Sequence, residues 1–167
     1  MSQEKKVAFI SGHIDLTQEQ FSTHYVSKID KAIEENHEFV LGNSFGCDEM
    51  ALRYLKSKNV SPDKITIHHR ESRCDQFNKQ HLTIADLRAM GYNKIISGFT
   101  TFDERDESMT LVSDYDIAWV RPDMQTKELM ESLGKKYSPT RKSGTLKNIL
   151  RRSASICQQL SIDKSSK

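Results

Sequence analysis

Phe39-Val40-Leu41-Gly42-Asn43-Ser44-Phe45-Gly46-Cys47-Asp48-Glu49-Met50-Ala51, continuing to Tyr54-Leu55, is the stretch on which the fold turns. A short apolar run ends at one glycine, crosses a polar turn and reaches a second glycine. An acidic residue then sits on the first turn of an amphipathic helix. A strand-to-helix joint of this kind aims free backbone N–H groups, and the positive end of a helix dipole, at the mouth of an open sheet. Phosphates and ribose rings bind at such places.

The segments on either side repeat the alternation. Lys6-Val7-Ala8-Phe9-Ile10-Ser11 reads as a buried strand bounded by Gly12. Thr17-Gln18-Glu19-Gln20 fits a capping box, and Phe21, Tyr25, Ile29 and Ile33 follow at four-residue spacing as one helical face. Asn36-His37 ends that helix, and Ile65-Thr66-Ile67 is a third strand after the turn at Val60-Ser61-Pro62-Asp63. Three strands alternating with two helices imply right-handed crossovers and a parallel sheet. Further along, Leu82, Ile84, Leu87 and Met90 predict a helix closed by Gly91, and Lys94-Ile95-Ile96-Ser97-Gly98 a fourth strand. Residues 101–112 predict a helix with Met109 and Val112 inward, and Tyr115 to Val120 a fifth strand stopped by Arg121-Pro122. A short helical piece around Leu129 precedes a polar linker, and a last helix starts near Ser143. The expected architecture is a Rossmann-like, three-layer α/β/α fold with a mainly parallel sheet of about five strands. It occupies residues 1–160 as a single domain, with 161–167 as a disordered tail.

Composition narrows the function classes. At 167 residues the chain suits one α/β domain better than two. A formal net charge of +2 provides no global electrostatic case for nucleic acid. No apolar run approaches the roughly 18 residues of a membrane span, and the polar first residues are unlike a signal peptide. Three widely spaced cysteines (Cys47, Cys74, Cys157) favour neither paired disulfides nor a zinc site, and fit a reducing cytosolic or nuclear home, of which the cytoplasm is the expectation. No metal-ligand cluster and no cofactor motif is read. The expected partner is a small nucleotide-type ligand. A homodimer is a further expectation without an identified surface.

In a doubly wound sheet, ligands bind at the carboxyl ends of the strands. Ser11-Gly12-His13 follows the first strand: Gly12 permits close backbone approach, Ser11 offers a hydroxyl, and His13 an acid, base or hydrogen-bond donor. Gly42-x3-Gly46 lacks both the G-x-G-x-x-G dinucleotide spacing and a Walker A lysine, which leaves a phosphate- or ribose-binding turn. Asp48 either reaches sugar hydroxyls or merely complements the helix dipole. After the third strand stand His68-His69-Arg70, Arg73 and Cys74. Adjacent strand histidines point to opposite faces and do not readily chelate one ion, so phosphate contact by Arg70 or Arg73 is weighed against a solvated loop. The acidic run Asp103-Glu104-Arg105-Asp106-Glu107 reads either as a solvated helix start or as placing Arg105 and Asp106 at the pocket. Arg141-Lys142-Ser143-Gly144-Thr145 combines a helix start, two hydroxyls and two cations, a ready phosphate cradle against the alternative of a well-capped basic helix. Seven basic residues and no acidic one lie between Lys135 and Arg152.

Two motifs together, Ile10-Ser11-Gly12-His13-x-Asp15-Leu16-Thr17-x3-Phe21 and Phe39-Val40-Leu41-Gly42-x3-Gly46-x-Asp48-x-Met50-Ala51-x2-Tyr54-Leu55, resemble the SLOG superfamily of Rossmann-like domains. That group gathers the DNA-processing SMF/DprA proteins, the LOG-type phosphoribohydrolases and small nucleotide-binding relatives. The resemblance implies a nucleotide, nucleoside phosphate or NAD-derived ligand. The chain departs from the phosphoribohydrolases in lacking their consecutive glycines followed by threonine and glutamate. The expected function is therefore nucleotide binding through Ser11, Gly12, His13, Gly42, Gly46, Asp48, Arg105, Ser143, Gly144 and Thr145. The alternative is an enzyme cleaving or transferring at an N-glycosidic bond, with Asp48 and Asp106 as its carboxylates.

Overall fold

The computed structural model of the chain describes residues 4–71 and 79–165. Among them five strands form one all-parallel sheet: β1 (Val7–Ser11), β2 (Glu38–Leu41), β3 (Ile65–His68), β4 (Ile95–Ile96) and β5 (Tyr115–Ala118). The spatial order is β4-β3-β2-β1-β5. The chain steps outward from β1 to β4 and then returns to set β5 on the free side of β1. Ser11 stands opposite Ala118 in that last pairing. Chain order reverses between β1 and β5, so the loops leaving these strands diverge and open a crevice at their carboxyl ends.

Helices flank both faces: α1 (Gln18–His24), α2 (Val26–Glu34), α3 (Cys47–Ser57), α4 (Ile84–Ala89), α5 (Phe102–Leu111), α6 (Asp123–Ser132) and α7 (Gly144–Ser165). The result is a three-layer, Rossmann-like α/β fold. Alternation along the strands divides the core. Ala8, Ile10, Phe39, Leu41, Ile65, Ile67 and Ile117 meet Phe21, Tyr25, Ile29, Ala51, Leu52, Leu55 and Leu87 of α1 to α4 in one large apolar cluster. The opposite face buries only Phe9, Val40 and Met109 as a second cluster. Polar contacts do more of the joining there. Arg152 of α7 donates from Nε and Nη2 to the two Asp116 carboxylate oxygens of β5 (2.8 and 3.1 Å) and also to Ser113. Lys147 and Arg151 reach Asp103 of α5. These three cations of the basic run are thus paired within the fold.

Local sequence explains most element ends. Thr17 accepts the Gln20 N–H while Gln20 returns to the Thr17 N–H, the capping box expected there. Asp114 accepts the Val7 N–H at 2.6 Å and pins the start of β1. Three elements differ from expectation. The single helix predicted from Phe21 to Ile33 is kinked into α1 and α2 at Tyr25, where φ is −118° although the hydrogen bonds Tyr25 N to Phe21 O and Ile29 N to Tyr25 O persist. The cause is tertiary. Tyr25 is drawn under the strand ends, where its hydroxyl donates to Ser11 O (2.9 Å) and accepts the Trp119 N–H (3.0 Å). Val112, expected inward, is 54% exposed because α5 ends one residue earlier and its core contact is carried by Met109. The last helix continues through residues 161–165, assigned above to the tail, with every residue from 153 to 160 exposed. No helix among the described residues is long and apolar enough to cross a membrane.

The Tyr25 bridge ties β1 to the segment after β5 below the crevice. Tyr25→Phe leaves the part-buried Trp119 N–H without its acceptor and removes the donor to Ser11 O, and should cost about 1–3 kcal/mol. Chemical denaturation of the two proteins side by side measures this, and an unchanged midpoint would remove the bridge from the account.

Candidate functional site

A cavity of about 710 Å³ opens at the carboxyl end of the sheet, over the β1/β5 reversal. Its floor is Ser11, Gly12 and His13 after β1, Ser44 and Asp48 after β2, and Val120 and Arg121 after β5. Arg105, Asp106 and Phe102 of α5 form one wall. The α6–α7 connection supplies Lys135, Lys136, Arg141 and Lys142, and the start of α7 supplies Ser143, Gly144 and Thr145. Ser11, Gly12, His13, Asp48, Arg105, Asp106, Ser143, Gly144 and Thr145, scattered through the sequence, therefore share one cavity. Gly42 and Gly46 do not line it.

Those two glycines act behind the wall. A Cβ on Gly42 would stand 2.7 Å from Asp48 Oδ2 and 2.8 Å from Arg105 Cζ, so the missing side chain lets the carboxyl and guanidinium groups close over the β2 end. Gly46 has φ +71°, and a Cβ there would meet Ile14 O at 2.3 Å and His13 O at 2.5 Å. The β1–α1 loop rests directly on the start of α3, with Cys47 N donating to His13 O.

Asp48 is buried on the first turn of α3, and its Oδ2 accepts the Ser44 N–H at 3.0 Å. Desolvation pushes its carboxyl up to about 6, against the pull of the Arg105 cation and the Ser44 hydrogen bond. Arg105 is itself fully engaged. Nε and Nη2 donate to Asp106 Oδ1 (2.9 and 2.8 Å), Nη1 donates to Asn43 Oδ1 (3.0 Å), and the guanidinium lies 5.1 Å from the Phe102 ring centre. Asn43, fully buried, also donates to Leu82 O and Arg70 O, which locks β2, the segment after β3 and α5 together.

His13 is fixed rather than free. Its Nε2 accepts the Arg121 N–H at 2.9 Å, which leaves the ring proton on Nδ1. Desolvation, then the Arg121 charge, lowers its pKa, so it is neutral at pH 7. Cys47 is wholly buried with its thiol pushed well up by desolvation, the opposite of an activated nucleophile. His68 holds Ser108 Oγ at 2.6 Å and is depressed to about 4, mainly by desolvation. Among the described residues no cluster of three or more His, Cys, Asp or Glu is arranged to hold a metal ion. Arg70 lies 4.1 Å over Phe102 and donates to Thr100 O. Arg73 and Cys74 lie outside the described residues.

At α7, Ser143 caps the helix: its Oγ accepts the Leu146 N–H (3.2 Å) and its carbonyl the Lys147 N–H. The N–H groups of Gly144 and Thr145 precede the first helical donor, Lys147, and point out of the helix end. Asp106 Oδ2 is the atom nearest a Cβ placed on Gly144, at 3.9 Å. Most telling is Ser11. Its Oγ is buried, has no hydrogen-bond partner, and belongs to a residue lining the cavity that is only 6% exposed. Buried hydroxyls are almost always satisfied by protein, water or ligand, and His68 Nε2 is the other buried side-chain atom without a protein partner among the described residues.

Comparison with protein-family models, with curated proteins and with solved structures finds no match to this chain. Two site residues escaped the sequence. Arg121 looked like a strand stop beside Pro122, and Asn43 like turn filler. Nothing local marks them, because their roles arise from contacts with residues up to 108 positions away.

Proposed function

We propose that this cavity binds a nucleotide or nucleotide-derived ligand, with a phosphate at the start of α7 and the sugar toward Asp48. The observation that carries the reading is the orphan Ser11 hydroxyl, in a cavity at the chain reversal that is also lined by the α7 N-terminus, Arg141 and Lys142. A helix start with outward N–H groups and flanking cations suits a phosphate. A desolvated carboxyl suits sugar hydroxyls, which bring donors to it. The resemblance to SLOG domains supports the same ligand class.

A thermal-shift series with AMP, ADP, NAD and ADP-ribose tests this. A ligand held at a hundred times its Kd stabilises the native state by about 2.7 kcal/mol, a rise of roughly 5–10 °C for a chain of this size. Gly144→Ala with Thr145→Ala should shrink that rise without lowering the unliganded melting point by more than about 2 °C. If none of the four compounds moves the melting curve, the proposal fails.

A second reading, N-glycosidic cleavage of a nucleoside phosphate, is favoured by one observation, the proton affinity of Asp48. A carboxyl titrating near 6 holds a usable proton near neutrality and is suited to protonating a departing base. Asp106, held by the Arg105 fork, is the second carboxylate. Under this reading wild-type protein releases free base from a nucleoside monophosphate and Asp48→Asn does not. Chromatography of overnight incubations decides it, and base release at equal rates by both would eliminate Asp48 as the acid.

A further inference from the structure

Arg121 is the part of the cavity that a monophosphate leaves unused. It follows β5 at the chain reversal, three residues past Ala118, the register partner of Ser11. Its side chain is only 4% exposed, yet its guanidinium makes one protein contact, Nη2 to Asp15 Oδ1 at 2.8 Å. The other donors of the fork have no acceptor among the described residues, and the residue lines the cavity. Arg105 is the contrast within the same cavity, with Nε, Nη1 and Nη2 all engaged by protein oxygens.

A guanidinium with a single protein acceptor keeps its other donors for water or a ligand. The one acceptor present is also a weak hold, because the Asp15 side chain is 39% exposed and water screens the pair. The orphan Ser11 hydroxyl belongs to the wall of the same cavity. A cation and a hydroxyl, both buried and both lining one cavity, are a donor pair that suits an anion. A guanidinium fork matches two oxygens of a phosphate at once, which the single Asp15 oxygen does not satisfy.

We propose that Arg121 and Ser11 form a second anion subsite, and that the ligand carries a diphosphate, one phosphate at Gly144 and Thr145 and the next on the Arg121 fork. This rests on the nucleotide reading of the cavity and narrows it from nucleotides in general to diphosphate-bearing ones. Asp15 is the placeholder. Its Oδ1 accepts from Nη2 and gives way when phosphate arrives.

Calorimetric titration of the full chain with AMP, ADP and ADP-ribose tests the assignment. ADP and ADP-ribose bind wild type about 10- to 100-fold more tightly than AMP, the range of one added charge-assisted contact. Arg121→Gln brings the three affinities to within about two-fold of one another. Asp15→Asn removes the competing charge, loosens its hold on the fork and raises ADP affinity by about two- to five-fold, a gain that misfolding does not imitate. AMP and ADP binding wild type equally overturns the diphosphate assignment and leaves the nucleotide reading standing. An Arg121→Gln protein of unchanged melting temperature that keeps the full ADP preference also overturns it, as does Asp15→Asn with unchanged ADP affinity. Failure of all three compounds to bind overturns both.

Discussion

Gly46→Ala is expected to lower stability by about 3–5 kcal/mol, among the largest effects of any single methyl in this chain. Two costs combine. The backbone there has φ +71° and ψ −119°, which L side chains avoid. The new Cβ would also press to within 2.3 Å of Ile14 O and 2.5 Å of His13 O, which are main-chain atoms unable to swing aside as a side-chain tip does. Relief requires the β1–α1 loop to lift, breaking the Cys47 N to His13 O bond and carrying Gly12 and His13 off the cavity floor. Melting should fall by roughly 6–20 °C, and ligand binding should weaken further than the stability loss alone explains. Gly91→Ala is the control. Gly91 has φ +98° but open space around its Cβ position, so only the backbone cost of about 1–2 kcal/mol applies. Equal losses in the two variants, read from melting curves, would show that the loop contact contributes nothing.

Asp48→Asn should make the protein more stable, and more so as pH rises. The native Asp48 carboxyl titrates near 6, above the unfolded value of about 3.9. Between these two pKa values the native state holds a proton that the unfolded chain has released, so stability falls as pH rises through that window. Above about pH 7 both states are ionised, and the buried charge costs about 1–3 kcal/mol. Asparagine keeps an oxygen to accept the Ser44 N–H and removes the charge. The gain should be near 3–9 °C at pH 8 and close to nothing at pH 4. Melting curves of both proteins at the two pH values measure it, and a variant less stable than wild type at pH 8 would reverse the sign of the claim. A residue whose removal stabilises the fold is retained for something other than the fold. Lost ligand affinity in the same variant would identify what that is.

Much of the fold was legible before any coordinates. Strand and helix periods, the Thr17 capping box, the turn at Pro62 and the glycine that closes α4 are all short-range features, and they appear where expected. The site was legible in its pieces. Ser11-Gly12-His13, Asp48, Arg105-Asp106 and Ser143-Gly144-Thr145 each stood out by residue type at a strand end or helix start. Their roles were less legible. His13 reads as an available acid or base but is committed to the Arg121 N–H. Gly42 and Gly46 read as ligand contacts, whereas the structure sets them behind the cavity as clearances for Asp48, Arg105 and the β1–α1 loop. The basic run looked uniform, yet Lys147, Arg151 and Arg152 are consumed by Asp103 and Asp116, while Lys135, Lys136, Arg141 and Lys142 face the cavity.

The sequence by itself determined the order and type of the elements and the residues gathered at the carboxyl ends of the strands. Those follow from side-chain period, caps and turn chemistry over a few residues. Only the tertiary structure decided that β5 returns to the free side of β1. That pairing joins segments more than a hundred residues apart, and no local pattern encodes it. From it follow the crevice at the β1/β5 reversal, the Tyr25 bridge beneath it, and the lining of one cavity by the buried Arg121 fork and an unpartnered Ser11. Burial created by that one long-range closure turned ordinary polar residues into a site.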